Sequence, residues 1–150
     1  MDKENDKIRA NIDKNGCHIF HTDETESSPS FTYSVGIEQS VQAPELIVTG
    51  MDKDTAHFLI NEYVNRMKDG EVFEADQFYN DFLEDFQITF KEVDKKYYAQ
   101  YFPQTLAFHD GNNTFKALHL IWPDFSGEWP WEKKASKEYR HLMPPLYPRS

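Results

Sequence analysis

The spacing of apolar side chains changes period several times along the chain, and each change marks an element. Residues 2–15 are polar apart from Ile8 and Ile12, four positions apart, and Asn15-Gly16 follows. This predicts a short helix stopped at glycine and docked by two isoleucines alone. Over 17–22 the period is two, with His18 and Phe20 on one face and Ile19 and His21 on the other, as in a strand. After a polar loop, Phe31, Tyr33, Val35 and Ile37 alternate with the small polar set Thr32, Ser34 and Gly36. Residues 44–50, PELIVTG, enter at a proline. Leu46, Ile47 and Val48 then run apolar without alternation, which suits a strand buried on both faces.

Ala56, Leu59, Ile60, Tyr63, Val64 and Met67 recur at helical spacing between a cap at Asp52 or Asp54 and a stop at Gly70, predicting the longest helix. Phe78, Phe82 and Phe86, each four apart, predict a shorter helix over 75–85. A strand over 86–93 follows, then a helix over 94–102 closed by Pro103, a turn at 111–113, and a strand over 114–122 ended by Pro123. From there to Ser150 the density of Pro, Trp and charge predicts ordered loop and tail. The pattern is α+β: a helical extension over 1–15 and a single domain over 16–150. Its mostly antiparallel or mixed sheet of about five strands is packed by one long helix and shorter ones. The connection over 51–86 is long enough to cross over between parallel strands.

Charge narrows the partners. There are 16 Lys+Arg against 26 Asp+Glu in 150 residues, a net charge of −10. Phosphate backbones and anionic membrane surfaces need a basic face, so neither nucleic acid nor membrane is expected as a partner. A basic protein partner fits the charge. The single cysteine makes no internal disulfide, the N-terminal stretch is charged, and no apolar run approaches the ~20 residues of a membrane span. A cytoplasmic location is the expectation. No phosphate-loop or dinucleotide glycine pattern is present, and the acids between Glu71 and Asp85 lack calcium-loop spacing. His18 and His21 point to opposite faces of their strand, and Cys17 brings no second ligand pair. No cofactor and no metal site is expected.

The densest chemistry lies at WPDFSGEWPWE. Trp122, Trp129 and Trp131 supply flat apolar surface, and Asp124, Glu128 and Glu132 supply charge. Such a loop can bind a cation or a basic protein surface. The same residues also suit a loop that plugs one end of the core. His119 lies mid-strand and suits either a core histidine or a proton-transfer group at a pocket floor. Glu45 enters a buried strand and needs a partner, for which an ion pair with Arg66 or a lysine is the expectation over an acid of raised pKa. Asp124 suits a turn cap or an acid. No Ser or Cys nucleophile motif accompanies them.

Three segments together resemble a known family. Phe31-Thr32-Tyr33-Ser34-Val35-Gly36-Ile37, Pro44-Glu45-Leu46-Ile47-Val48-Thr49-Gly50, and Trp122-Pro123-Asp124 with Gly127, Trp129, Pro130 and Trp131 are similar to the bacterial domain-of-unknown-function family 4262. That family carries a "YTVGL" strand, a "PELIV-x-G" strand and a "WPD…G…PW" segment. The helix end Lys68-Asp69-Gly70 and the tail Met143-Pro144-Pro145-Leu146 also fit, so the resemblance spans about residues 16–147. It implies fold and motif positions but no activity. The family often has Gln where this chain has His119.

The functional expectation is a small, acidic, cytoplasmic protein-binding domain of the immunity or inhibitor kind, binding through Tyr33, Trp122, Asp124, Glu128, Trp129 and Trp131. The alternative is a small enzyme or ligand-binding domain whose pocket lies near Tyr33, His119 and Asp124, with His119, Asp124 and Glu45 as its catalytic candidates. A structural module without a site is the third reading.

Overall fold

The computed structural model describes residues 2–147. Met1 and the last three residues of the domain expected over 16–150 lie outside them. Helix α1 (Asp2–Asn15) leads into β1 (His18–Thr22), β2 (Phe31–Val35), a short α2 (Ile37–Val41), β3 (Glu45–Thr49) and the long α3 (Lys53–Lys68). The hairpin β4 (Phe78–Leu83) and β5 (Phe86–Glu92) follows. A 3-10 turn (Lys95–Tyr97), α4 (Tyr98–Tyr101), α5 (Pro103–Phe108), β6 (Ala117–Ile121) and α6 (Lys137–Leu142) complete the order.

The strands form one mixed sheet, ordered β1-β2-β3-β6-β5-β4. Every neighbour is antiparallel except the central pair: β3 runs parallel to β6, with Glu45 opposite Ala117 and Ile47 opposite His119. Every residue of β3 and β6 is buried, as the unbroken apolar run of β3 anticipates. One face carries α3, whose Ala56, Leu59, Ile60, Tyr63 and Val64 pack on Leu46, Val48, Leu118 and Leu120. The other carries α1 and the helices after β5. There Ile8, Ile12, Tyr98, Tyr101 and Phe102 meet Tyr33, Val35, Ile47 and Ala117.

The α+β class and the single mixed sheet agree with the pattern reading, but four elements correct it. The helix expected over 75–85 is β4, so the sheet has six strands rather than five. The register of β4 shifts between Tyr79 and Leu83, so Phe82 packs into the core under α3 while Phe78 lies against Trp129, and no simple alternation marks the strand. Asp81, at a φ of 72°, breaks any helix there, and pairing with β5 decides the outcome. The helix expected over 94–102 ends before Pro103, but no loop follows: Pro103 opens a further helix, α5, in whose first turn its missing N–H costs nothing. The strand expected to reach Ile37 ends at Val35, because Gly36, at a φ of 102°, turns the chain into α2. Part of the expected C-terminal loop is α6, capped by Ser136 accepting from the Tyr139 N–H.

Candidate functional site

The parallel pair sets the geometry of the site. β3 and β6 end side by side, at Thr49-Gly50 and Ile121-Trp122. From there the chain leaves β3 for α3 on one face of the sheet. After β6 it passes through the Trp-rich loop to α6, whose Tyr139, with Met143 just after the helix, packs with Ile121 on the opposite face. Divergence at the carboxyl ends of neighbouring parallel strands opens a crevice, the usual place for a ligand in open sheets of this kind.

The crevice is a cleft of about 690 Å³. Its apolar wall is Met51, Leu83, Phe86, Trp122, Tyr139 and Leu142, and Phe125 stands at its lip, wholly exposed. Asp52, Glu84, Asp124 and Glu138 bring carboxylates to it. Two of these are committed: Asp52 caps α3 through the Thr55 N–H, and Asp124 Oδ1 accepts from the N–H groups of Ser126 and Glu128, holding the loop as a turn. Glu84 and Glu138 form no ion pair among the described residues. Trp122 is fixed by its indole N–H donating to the Thr49 carbonyl at 3.0 Å. Its own carbonyl accepts from the Tyr139 hydroxyl at 2.5 Å.

Beside the cleft runs an aromatic ladder. Trp129 and Trp131 stack with centroids 5.7 Å apart and planes 5° from parallel, and Phe78 meets Trp129 at 5.2 Å. Trp131 already has a cation: Lys91 Nζ lies 4.8 Å from its ring centre and pairs with Asp76 at 2.6 Å. Glu128 shares a hydrogen bond with the neighbouring Glu132 carboxyl, and that contact raises its pKa above the ordinary carboxylate range. Trp122 and Asp124 therefore line the cleft, whereas Glu128, Trp129 and Trp131 flank it. Tyr33 lies elsewhere, buried in the second core between Phe20, Phe31 and Phe102, with its hydroxyl accepting from the Gln104 N–H.

His119 and Glu45 are both fully buried and line none of this surface. The Thr49 hydroxyl donates to the Leu142 carbonyl at 2.7 Å, so at 3.0 Å it accepts from His119 Nε2. The imidazole is thus neutral and protonated on Nε2, its Nδ1 has no partner among the described residues, and burial pushes its pKa down to about 3. Glu45 overturns the expected ion pair. No basic side chain meets it among the described residues, and Arg66 pairs with Glu71 instead. Its two oxygens accept from the Ser34 hydroxyl and the N–H groups of Gly36, Ile37 and Glu38 at the start of α2. Burial pushes its pKa up to about 7 against the pull of these donors. No hydrogen bond joins His119, Asp124 and Glu45 to one another among the described residues.

Pattern reading missed Leu83, Phe86, Glu138, Tyr139 and Leu142. Leu83 was hidden by the helical reading of 75–85, and Phe86 was placed in its strand but with no site beside it. The last three follow Ser136, a cap residue spaced three before Tyr139, which signals a helix start.

The family model described as a domain of unknown function (DUF4262) matches residues 11–136. No curated protein and no solved structure matches the chain.

Proposed function

The chain belongs to the DUF4262 family, a description that assigns no reaction, and we propose that it works by binding: an acidic cytoplasmic domain whose cleft at the ends of β3 and β6 receives a basic segment of a protein partner, in the manner of an immunity or inhibitor protein. The observation that carries this reading is the cleft itself. Its wall is apolar and aromatic, Phe125 at its lip is fully exposed, and two carboxylates on it have no cation among the described residues. A lysine or arginine side chain has the matching form, an apolar stem with a charged head. The close Glu128–Glu132 pair is a second feature that an approaching cation would relieve.

The enzymatic alternative has less to stand on. Asp124 is spent on its turn, Glu45 on four donors, and His119 on Thr49 within the core.

The test starts with a photo-crosslinking phenylalanine analogue at position 125, and at the exposed Val72 as control, in cells of the source organism. The adduct specific to position 125 should be a basic protein. Once purified, it should bind wild type, and Phe125→Ala and Glu138→Gln should each weaken binding by about tenfold or more, since an aromatic anchor or a desolvated charge contact typically carries ~2 kcal/mol. An affinity unchanged by both substitutions, or adducts identical from positions 125 and 72, would sink the proposal.

A further inference from the structure

At the opposite edge of the sheet lies a groove of contrary charge, about 600 Å³, between α1 and α3. The two helices face each other across the start of β1. From α1 come Lys7, Asn11 and Lys14, spaced four and three. From α3 come Asn61, Asn65 and Lys68, with the same spacing. Side chains at such intervals share a helix face, so each helix turns a polar stripe toward the other beside the apolar stripe that docks it. The side chains of Asn61 and Asn65 have no hydrogen-bond partner among the described residues.

In a protein of net charge −10, no carboxylate among the described residues lines this groove, while three lysines and the imidazoles of His18 and His57 do. Lys7, Lys14 and Lys68 have no ion pair among the described residues. Lys68 lies across Gly16, at the junction of α1 and β1. Holding several ammonium groups around one concavity is repulsive unless a counter-charge sits between them. Amide N–H groups among the ammoniums add donors for an acceptor with several oxygens. The volume is that of a small-molecule site.

We propose that this groove binds a phosphate-bearing small molecule, with Lys7, Lys14 and Lys68 meeting the phosphate charge and Asn61 and Asn65 donating to its oxygens. A phosphate group offers up to two negative charges and three acceptor oxygens in one compact unit, the form that these donors match. The inference is independent of the cleft at the other end of the sheet and of any protein partner there.

The probe is inorganic pyrophosphate, followed by amide chemical shifts in the full-length protein, with sodium chloride at matched ionic strength and citrate as comparisons. Saturable shifts confined to the facing stripes of α1 and α3 are expected with pyrophosphate. Lys14→Gln with Lys68→Gln should weaken binding about tenfold, the loss of two solvent-exposed charge contacts. Lys133→Gln, away from the groove, should leave it unchanged. All three positions are exposed, so the fold survives the substitutions. Equal shifts with chloride, or undiminished binding in the double variant, would overturn the site. Citrate binding as tightly as pyrophosphate would overturn the phosphate assignment.

Discussion

At the scale of single residues, Glu45 and His119 give the protein two opposed responses to pH. Folded Glu45 holds its proton up to about pH 7, whereas an unfolded glutamate releases it near 4.5. Between those values the folded chain binds more protons, so this stabilisation is full below 4.5 and is lost as pH rises to 7, a change of about 3 kcal/mol. His119 acts the other way. Folded it stays neutral down to about pH 3, while an unfolded histidine protonates near 6.5, so its contribution is lost as pH falls through that window, by about 5 kcal/mol. The two slopes nearly cancel between 4.5 and 6.5, leaving an acid loss below 4.5 that belongs to His119. Glutamine at His119 keeps an N–H donor for Thr49 and does not titrate. Urea unfolding of His119→Gln across this range should show the acid loss reduced, with stability at neutral pH within about 1 kcal/mol of wild type. An acid slope identical to wild type would refute the assignment. Glu45→Gln places an amide NH₂ against backbone N–H groups. It should cost about 1–3 kcal/mol in mildly acidic solution and leave a stability that climbs steadily with pH.

At the scale of elements, the join between β3 and α6 shapes the cleft. Gly50 stands at a φ of 74°, and a Cβ there would lie 2.6 Å from Leu142 Cβ and 2.9 Å from its carbonyl oxygen, the oxygen that Thr49 holds. Gly50→Ala must therefore push α6 outward and break that bond. The expected loss is about 2–4 kcal/mol, with altered Trp122 fluorescence, against about 1 kcal/mol for Gly127→Ala, whose φ is 82° but whose surroundings are open. Denaturant titration of both variants checks the contrast. Elements with one unambiguous period were legible in the sequence: β1 and β2 by alternation, β3 by its apolar run, α3 by its stripe and caps. β4 was not, because Phe78, Phe82 and Phe86 sit at helical spacing and a shift of register inside the strand hides its alternation. The site was half legible for the same reason. Trp122 and Asp124 stand out by residue type, but Leu83, Phe86 and Tyr139 reach the cleft only through the long-range docking of the hairpin and α6. The partners of Glu45 were invisible because backbone N–H groups carry no letter in a sequence.

At the scale of the whole molecule, the surplus of acid is unevenly spread: the cleft beyond β3 and β6 carries carboxylates, and the α1–α3 groove carries lysines. A basic partner approaching the cleft should therefore be steered over distance. Stopped-flow association with the captured partner should slow by about tenfold or more from low to physiological salt, while dissociation changes little. A salt-independent association rate would argue against steering. The parallel contact of β3 with β6 has another consequence, in how the protein is made. Pairing Glu45 with Ala117 closes a loop of roughly seventy residues, and translation delivers the two strands at different times. While the ribosome makes the intervening chain, β1 to β3 stand with the Leu46-Ile47-Val48 edge unpaired. Nascent chains arrested before Thr114 should therefore aggregate or engage chaperones, and those extended past Ile121 should not.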